Sequence, residues 1–585
     1  MSRRTAVIVA AGVLAVLAAV WALGQKEERA LRAEQRAMPT EDEMADAVGS
    51  PIMRHVYRGH VPGRSGEIML VPKPHRYLIG EWDLTTLGTD TPEMYTSHPN
   101  PWDYLARVPL VFYGPAYMNR GEQVDRVVDI ADIAPTYAAL LGMNGFEADG
   151  EVAREVVPRR AVRPPKIIVT VVIDGGGWNA LQAHPATHPA FDALARRGTL
   201  YTNATIGSAP SITGALHATF GSGIYPLRSG IPGNQMRGPK GGDTPDDPRI
   251  DTWLQNADPR YMRVPTVSEL WDESTRNRAL VGTVSYEGWH LGMIGHGAQR
   301  PSGDKDVAVL WEHDEQEWWI NEDFYRIPRY VQRFDLQRLE RYEEQLDARD
   351  GIVDGLWFGR TLEELQDKPK RPGTPAFARL TGDVIMDVLR REPFGRDGVT
   401  DLFWVEMKQP DFGGHVWNVE RSEQGDTILE VDRQLARIKR WLDRAVGEGE
   451  YVLTVTADHG QEPLPDDRGG WRVNSQELQR DINARFGEGI IEVVSPVDMY
   501  VASDRARSRD VDLSDIARFV GAYTIGDNIP PGAPGSERVP RARLDETLFA
   551  GAFSTDYIAA LTPQKIASFG PSDYPEGQIT TPPGS

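Results

Sequence analysis

Three apolar runs rich in β-branched residues constrain the fold more than any other feature of this sequence. They are "KIIVTVVIDGGG", "TDLFWVEMKQPDFGGH" and "YVLTVTADHGQ", and each ends in an acidic or glycine-rich turn. Continuous apolar strands bounded by turns, with helical patterns between them, are typical of a parallel sheet that is buried on both faces. We therefore predict an α/β fold with a central, mostly parallel sheet sandwiched by helices.

Each of the three runs ends in a carboxylate, and these are Asp174, Asp411 and Asp458. In open α/β sheets, ligands bind at the carboxyl ends of strands. His415 stands four residues after Asp411, and His459 directly follows Asp458. Carboxylate and imidazole ligands suit zinc or a similar divalent ion. One Asp–His pair is a weak signal, but two pairs at predicted strand ends favour a metal site over surface residues.

The stretch "SAPSITGALHATFGSGIYP" contains a candidate nucleophile. Thr213 stands at the predicted N-terminus of a helix, where free N–H groups and the helix dipole favour a phosphate-like anion. A threonine hydroxyl becomes a nucleophile when a metal or a base removes its proton. Taken alone, Thr213 reads as a capping residue without chemistry, and Ser211 is a rival nucleophile two residues upstream.

Together these motifs resemble the alkaline-phosphatase superfamily, and most closely its type I phosphodiesterase/nucleotide pyrophosphatase branch. The resemblance rests on "VVIDGGG", on Thr213 four residues before His217 with "GIYP" after it, on "DFGGH" and on "ADHG", in the family's order. It implies an alkaline-phosphatase-like fold and a two-metal site in which zinc is the usual ion. The four-residue step to His217 favours Thr213 over Ser211, and His217 is then a supporting residue.

The resemblance also assigns the metal ligands and the phosphate-binding groups. The first ion would be bound by Asp174, Thr213, Asp458 and His459. The second ion would be bound by Asp411, His415 and one more histidine. Asn234, in "SGIPGN", and the backbone N–H of Gly214 would bind a phosphoryl oxygen.

The last metal histidine of the family follows the "DHG" motif, but no histidine follows His459 in this chain. The stretch "SHPNPWDYLARVPLVFYG" resembles the family's loop, and "VVDIADIAPTYAALLGM" after it resembles the strand and helix that close the domain. We therefore predict that His98 is the missing ligand and that a circular permutation has moved this section to the front. Domain termini often lie close together, which makes permutation tolerable. His296 is the alternative ligand, and His290 a weaker one.

The resemblance implies ester hydrolysis through a phosphothreonine on Thr213. Threonine-type monoesterases of the family carry a lysine and an arginine in an "S-x-K-D-R" stretch. The corresponding region here, "VGTVSYEGWHLGMIGHGA", has Tyr286, Glu287 and Trp289 and neither cation. A glutamate would repel a monoester dianion, whereas an aromatic ring can pack on a second ester group. We therefore predict a phosphodiesterase/nucleotide pyrophosphatase.

Other functions stay open on the same scaffold. These are a phosphomonoesterase of the alkaline-phosphatase type, a phosphoglycerol- or phosphonate-type transferase or hydrolase, and an inactive membrane-tethered binding protein. An inactive copy has no physical need for the whole ligand set, which argues against the last. A formylglycine-type sulfatase is excluded because the chain has no cysteine and Ile212 stands where its "S-x-P-x-R" pattern needs arginine.

The N-terminus carries no charge from Thr5 to Gly24, about the 20 residues that a membrane-spanning helix needs. Arg3 and Arg4 precede it, so the positive-inside rule predicts a membrane anchor with the catalytic part outside the cytoplasm. A cleaved signal peptide and secretion are the alternative. The net charge of −21 argues against nucleic acid as a stable partner, and we expect a phosphate-ester small molecule or an envelope polymer as substrate.

The predicted division of the chain is as follows. Residues 1–24 are the anchor or signal segment, and residues 25–50 are a stalk or linker. Residues 51–150 are the permuted section of the catalytic domain, and residues 151–166 are the linker that joins it to the rest. Residues 167–562 are the remaining catalytic domain, with a helical insertion at about 236–396, and residues 563–585 are a flexible tail.

Overall fold

The apolar runs of the sequence become neighbouring strands of one sheet. A computed structural model of the protein describes residues 37–82, 84–87, 96–158, 163–242, 244, 247–254, 256–312, 315–367 and 369–574. In chain order, the strands of this part are β1 (Ile68–Pro72), β2 (Arg76–Ile79), β3 (Leu110–Tyr113), β4 (Glu122–Asp129), β5 (Ile167–Ile173), β6 (Thr199–Thr205), β7 (Gln235–Arg237), β8 (Arg249–Asp251), β9 (Val281–Val284), β10 (Val307–Glu312), β11 (Glu317–Trp319), β12 (Leu356–Trp357), β13 (Arg360–Thr361), β14 (Asp401–Met407), β15 (Tyr451–Thr456), β16 (Trp471–Asn474), β17 (Ile491–Ser495), β18 (Asp498–Val501) and β19 (Phe549–Ser554).

The α-helices are given for the same described residues. They are α1 (Glu41–Gly59), α2 (Asp103–Ala106), α3 (Ile133–Leu140), α4 (Trp178–Ala183), α5 (Pro189–Arg197), α6 (Thr213–Ser222), α7 (Pro226–Ser229), α8 (Val267–Thr275), α9 (Arg329–Gln332), α10 (Gln337–Glu343), α11 (Pro375–Arg391), α12 (Gln409–Trp417), α13 (Ser422–Trp441), α14 (Ser475–Phe486), α15 (Ser503–Ser508), α16 (Leu513–Gly521), α17 (Thr555–Ala560) and α18 (Pro563–Ser568).

The central sheet has the strand order β11-β10-β9-β14-β5-β15-β3-β6-β4. The five strands from β10 to β15 in this order run parallel. β3 is antiparallel to both of its neighbours, β11 is antiparallel to β10, and β4 is parallel to β6. The sheet is therefore mixed but mostly parallel, and helices flank it. The predicted α/β class is confirmed.

The middle of this sheet explains where polar side chains collect. Every residue of β5, β14 and β15 is buried. Ile173 at the end of β5 pairs with Met407 at the end of β14, and Val172 pairs with Thr456 at the end of β15. The three strands thus end at one edge, and the residues that follow them are brought together.

The chain forms two compact units, each with an apolar core of its own. The larger unit comprises Arg54–Ser65 and Pro92–Leu464 and contains the central sheet. The smaller unit comprises the chain up to Met53, Gly66–Thr91 and Pro465–Tyr574. It contains the antiparallel sheet β17-β18-β1-β19 and the parallel pair β2–β16.

This division differs from the boundaries predicted from the sequence. Residues 465–562, expected in the catalytic domain, lie in the smaller unit, as do β1 and β2 from the section 51–150. The region 236–396, expected as a helical insertion, contributes β9, β10 and β11 to the central sheet. β9 and β11 have only four and three residues, and runs this short give little periodic signal in a sequence.

Two segments expected to be unpacked bury apolar side chains. In the predicted stalk (25–50), α1 buries Met44 and Val48. In the predicted tail (563–585), Ile566 and Phe569 are buried, and the carbonyl of Gly570 accepts the N–H of Ser50 at 2.9 Å. Both segments are therefore packed in part.

The predicted membrane anchor, Thr5–Gly24, lies outside the described residues. Within the described ranges, none of the helices combines the length and the hydropathy that crossing a bilayer requires. The anchor stays a prediction from the sequence.

Candidate metal centre

The predicted carboxylates lie at the edge where β5, β14 and β15 end. Asp174 directly follows β5, and Asp458 stands two residues after β15. After β14 come Lys408 and then α12, which carries Asp411 and His415 one turn apart. A four-residue step on a helix places both side chains on one face.

Glycines in "DGGG" allow the ends of β5 and β15 to approach each other. Gly175 has φ +69°, a conformation that side chains disfavour. At Gly177 a Cβ atom would lie 2.5 Å from the Cα of Gly460. The N–H of Gly177 donates to the carbonyl of His459 at 2.8 Å. Small residues in this turn therefore fix the "DHG" loop against Asp174.

The first ligand group consists of Asp174, Asp458 and His459, all fully buried. His459 Nε2 lies 3.3 Å from Asp174 Oδ1 and 3.2 Å from Asp458 Oδ2. None of these three atoms has a hydrogen-bond partner among the described residues. The structure thus brings together three of the four ligands predicted for the first ion.

The second ligand group is centred on Asp411 Oδ1. His98 Nε2 lies 3.2 Å from this oxygen and His415 Nε2 lies 3.3 Å from it. Gln461 Nε2 donates to the same oxygen at 2.6 Å. The structure therefore places His98 next to Asp411 and His415, although more than 300 residues separate it from both. Gln461 was not identified from the sequence.

The alternative ligand His296 makes hydrogen bonds to other residues through both ring nitrogens. Its Nδ1 lies 2.9 Å from Glu269 Oε1, and its Nε2 lies 2.7 Å from the carbonyl oxygen of Met262. Both ring nitrogens of His296 are engaged, whereas Nε2 of His98 lies beside Asp411.

Backbone carbonyls fix the tautomer of the three ligand histidines. His98 Nδ1 lies 2.7 Å from the carbonyl of Ser211, His415 Nδ1 2.5 Å from that of Thr96, and His459 Nδ1 2.9 Å from that of Gly460. A carbonyl oxygen only accepts, so each Nδ1 carries a proton, and Nε2 is the ring atom that is left to bind a metal ion. Metal-binding histidines are usually oriented in this way.

The first group fits a divalent cation. Burial, and after it His98, lowers the pKa of His459 to about 3, so its ring is neutral. Its Nε2 lone pair then faces two carboxylate oxygens, and three acceptors without a donor would repel one another. Burial and the Asp174 carboxylate raise the pKa of Asp458 well above its usual value. A cation shared by these atoms resolves the conflict.

Thr213 begins α6, and its hydroxyl shares a hydrogen-bond donor with one of the buried carboxylates. Thr213 Oγ accepts a hydrogen bond from Lys408 Nζ at 3.1 Å, and the same ammonium donates to Asp174 Oδ2 at 2.8 Å. The rival nucleophile Ser211 is buried, but its hydroxyl has no hydrogen-bond partner in the described part of the chain. The geometry favours Thr213.

Lys408, like Gln461, is a residue of this site that was not identified from the sequence. It is 4% exposed, and its Nζ also lies 2.8 Å from Asp411 Oδ2. Burial by itself would lower the pKa of Lys408, but the carboxylates of Asp174 and Asp411 raise it well above its usual value. The signal in the sequence is a lysine directly after a buried strand, in "VEMKQPD".

Asn234 and Gly214 contact each other. The N–H of Gly214 donates to Asn234 Oδ1 at 2.8 Å. This differs from the prediction that both groups donate to a phosphoryl oxygen, because the N–H of Gly214 is already committed. It orients the amide of Asn234, whose NH₂ group can then serve a ligand. At Gly214 a Cβ would lie 2.7 Å from the carbonyl oxygen of Gly233, so a side chain would disturb this contact.

Two further histidines, His217 and His290, lie close to Asp174. His217 Nδ1 lies 2.9 Å from the carbonyl of Thr213, which matches a supporting role. His290 Nδ1 accepts the N–H of Glu287 at 2.8 Å, so its Nε2 carries the proton, 3.6 Å from Asp174 Oδ2. His290 is therefore a donor in the neutral state and not a ligand through Nε2.

Tyr286 differs from its predicted role. It is 2% exposed and packs edge-on against Phe377 and Phe412, with ring centroids 5.8 and 4.9 Å away. Its ring is part of the core and is not available to pack on a second ester group.

Comparison with known proteins identifies the family. A model of the family described as type I phosphodiesterase / nucleotide pyrophosphatase matches residues 168–527, more than half of the chain. The chain belongs to this family. The resemblance to the alkaline-phosphatase superfamily of phosphoester hydrolases is thereby confirmed. The match includes each predicted ligand except His98.

Individual relatives share part of the chain. It is 25% identical to alkaline phosphatase PhoV of Synechococcus elongatus over 357 residues, which cover 55% of this chain and 64% of PhoV. It is 24% identical to alkaline phosphatase PafA of Elizabethkingia meningoseptica over 412 residues, which cover 62% of this chain and 73% of PafA. The match to PhoV thus spans just under two thirds of that protein.

One solved structure supports the fold. The crystal structure of wild-type alkaline phosphatase PafA superposes with a TM-score of 0.51 and 19% sequence identity, over 62% of this chain and 76% of that chain. At this identity the likeness concerns the fold alone.

Proposed function

We propose that this protein is a metal-dependent phosphodiesterase that acts through a phosphothreonine on Thr213. The observation that carries the proposal is the position of Thr213 Oγ, held by an ammonium that also contacts one carboxylate from each ligand group. Membership of the phosphodiesterase family gives the class of bond that is broken.

Two divalent ions, one on each ligand group, would stabilise charge on the attacking and the leaving oxygen of an in-line displacement at phosphorus. The first would be held by Asp174, Asp458, His459 and Thr213, and the second by Asp411, His415 and His98. Zinc fits these nitrogen and carboxylate donors.

The side chains of the protein account for the covalent chemistry. Thr213 Oγ forms a bond to phosphorus while the ester bond to the first alcohol breaks, and the threonine proton leaves with that alcohol. Water then forms a bond to phosphorus while the Thr213 Oγ–phosphorus bond breaks, and a water proton returns to Oγ. The NH₂ group of Asn234, oriented by Gly214, would donate to a non-bridging oxygen where charge increases.

The loop after β9 supports a diester as substrate. Glu287 and Trp289 stand where related monoesterases carry a lysine and an arginine, so no second cation from this loop would balance a dianion. A diester carries one charge less at the phosphoryl group.

A phosphomonoesterase is the second candidate. The relatives PhoV and PafA are both named alkaline phosphatases, and Lys408 places a cation beside Thr213. Its charge is shared with Asp174 and Asp411, which weakens its effect on a dianion, and we therefore rank the diesterase first.

The decisive experiment compares bis-aryl and mono-aryl phosphate hydrolysis by the full-length chain loaded with zinc. We expect faster turnover of the diester, and a loss of about 10³-fold or more in Thr213→Ala. Ser211→Ala is the matched control and should keep its activity, because the Ser211 hydroxyl makes no hydrogen bond to any described residue. Full activity in Thr213→Ala would refute the nucleophile, and faster monoester turnover would select the second candidate.

We further propose that the section with His98 is a circularly permuted C-terminal part of the family's domain. Its support is the resemblance of "SHPNPWDYLARVPLVFYG" to the family's loop and the contact of His98 with Asp411. We also propose that the uncharged segment Thr5–Gly24 anchors the protein in a membrane, with the catalytic part on the outer side. Protease protection of spheroplasts against intact cells would test this orientation.

A further inference from the structure

Lys408 is held by three oxygens in the middle of the site. Its ammonium donates to Asp174 Oδ2 at 2.8 Å and to Thr213 Oγ at 3.1 Å, and it lies 2.8 Å from Asp411 Oδ2. An ammonium has three N–H donors and no acceptor. The three oxygens therefore satisfy the whole group, and its position is fixed before any ligand binds.

The two carboxylates divide their oxygens between the lysine and the histidines. Asp174 Oδ1 faces His459 and Asp411 Oδ1 faces His98 and His415. The Oδ2 atom of each carboxylate faces Lys408. Lys408 thus leaves the Oδ1 atoms to the ligand groups while it joins the two groups to each other and to Thr213.

The reaction changes the charge on one of these three oxygens. Thr213 Oγ belongs to a neutral hydroxyl at rest, carries negative charge once its proton has left and until its bond to phosphorus is complete, and carries negative charge again when water displaces it from phosphorus. A donor that is already in place stabilises the charged oxygen more than the neutral one, because no reorganisation is needed. The oxygens of Asp174 and Asp411 form no bond to phosphorus, so only the hydrogen bond to Thr213 strengthens during the reaction.

We propose that Lys408 is a catalytic residue whose ammonium stabilises the Thr213 oxygen as it attacks phosphorus and as it leaves. This inference rests on the proposed function, because it needs Thr213 as the nucleophile. The competing explanation is that Lys408 only neutralises two buried carboxylates and thereby preserves the metal centre.

The test separates these explanations with Lys408→Met, which keeps the length of the side chain and removes the charge. Lys439→Met is the matched control, because Lys439 on α13 pairs with Asp443 at 2.7 Å and lies outside the site. For each full-length protein we would measure bound zinc, the thermal unfolding midpoint, and the rate of phosphothreonine formation in a single turnover with a bis-aryl phosphate.

We expect Lys408→Met to bind as much zinc as the wild type and to form phosphothreonine about 10²- to 10³-fold more slowly. The KM should change by less than about tenfold, because the lost bond strengthens only in the transition state. Lys439→Met should behave like the wild type. An unchanged rate at full zinc content would overturn the proposal. Loss of zinc together with loss of the rate would also overturn it, in favour of the neutralising role.

If Lys408→Met does not fold, Lys408→Arg decides by the same measurements. A planar guanidinium cannot reproduce the three-oxygen contact of an ammonium. Full zinc content with a rate at least about tenfold lower supports the proposal, whereas a wild-type rate, or loss of zinc, overturns it. Failure of the proposed function is distinct, since the wild type would then form no phosphothreonine at all.

Discussion

In each of the three candidate ligand histidines, Nδ1 contacts a backbone carbonyl, so Nε2 is the atom available to a metal ion. The rings of His98 and His459 also stack, with centroids 3.5 Å apart and planes 12° from parallel. The stack and the two carbonyl contacts hold both rings so that each Nε2 faces a carboxylate of its own ligand group. Orientation of this kind by outer contacts typically contributes 10- to 100-fold to metal affinity.

His98 gives the sharpest prediction at the level of single residues. In His98→Ala the second group keeps only Asp411 and His415, and we expect the protein to lose about one equivalent of bound zinc. His296→Ala should keep the full zinc content, because His296 contacts Glu269 and Met262 instead. Metal analysis of dialysed protein checks both. The reverse result would make His296 the ligand.

Most of the side chains that the structure brings together at this site were predicted from the sequence, because functional residues of α/β sheets lie at the carboxyl ends of strands. Asp174, Asp411 and Asp458 were visible at the ends of apolar runs, and a count of ligands pointed to His98. Lys408 escaped notice because a lysine after an apolar run also starts a solvated turn. Only tertiary structure buries it, through partners 234 and 195 residues away in the sequence.

At the scale of elements, the fully buried strands at the centre of the sheet were predictable, and a shorter strand such as β9 was not. β5, β14 and β15 each have six or seven buried residues. β9 has four residues and lies before a region rich in aromatic side chains, so its sequence did not distinguish a central strand from a loop. β9 pairs in parallel with β14. Burial beside that strand favours its extended backbone conformation.

The start of β14 gives a prediction on pH. The two carboxylate oxygens of Asp401 accept the N–H groups of Leu280 at 2.8 Å and Gly395 at 2.6 Å. Burial raises its pKa to about 7, above the value in an unfolded chain. Between about pH 4 and pH 7 the folded state therefore binds the additional proton, and the free energy of unfolding falls as the pH rises.

We expect the ionisation of the Asp401 carboxyl to lower the free energy of unfolding by about 2 to 4 kcal/mol as the pH rises from about 4 to about 7. In Asp401→Asn the contribution to the pH dependence is absent, while one acceptor oxygen remains. Urea unfolding at pH 5 and pH 8 should therefore show the variant less stable than the wild type at pH 5, with a smaller difference at pH 8. An equal difference at both values would contradict the raised pKa.

At the scale of the whole molecule, the protein buries several carboxylates close together, and under the proposed function divalent ions offset their charge. Asp174, Asp411 and Asp458 are nearly inaccessible to water, and Lys408 supplies one positive charge among them. Ions that bind only the folded state stabilise it by mass action, by about 4 kcal/mol at a concentration a thousandfold above the dissociation constant.

Chelation should therefore lower the thermal unfolding temperature of the protein by several degrees, and zinc should restore it. Scanning calorimetry with and without EDTA measures the change. Asp458→Asn, which lacks one ligand oxygen, should respond less to chelation than the wild type. Equal midpoints for the wild type with and without EDTA would show that the ligand groups hold no stabilising ion.

The position of β3 between β15 and β6 affects how the central sheet can form during synthesis of the chain. Val111 on β3 pairs with Leu200 on β6 and with Val455 on β15, and roughly 340 residues separate the ends of β3 and the start of β15. At about 5–20 residues per second, a ribosome needs about 20–70 s to supply the second partner. During this time the edge of β3 that pairs with β15 has no partner. We therefore expect the soluble yield of the protein to rise with chaperones that bind nascent chains.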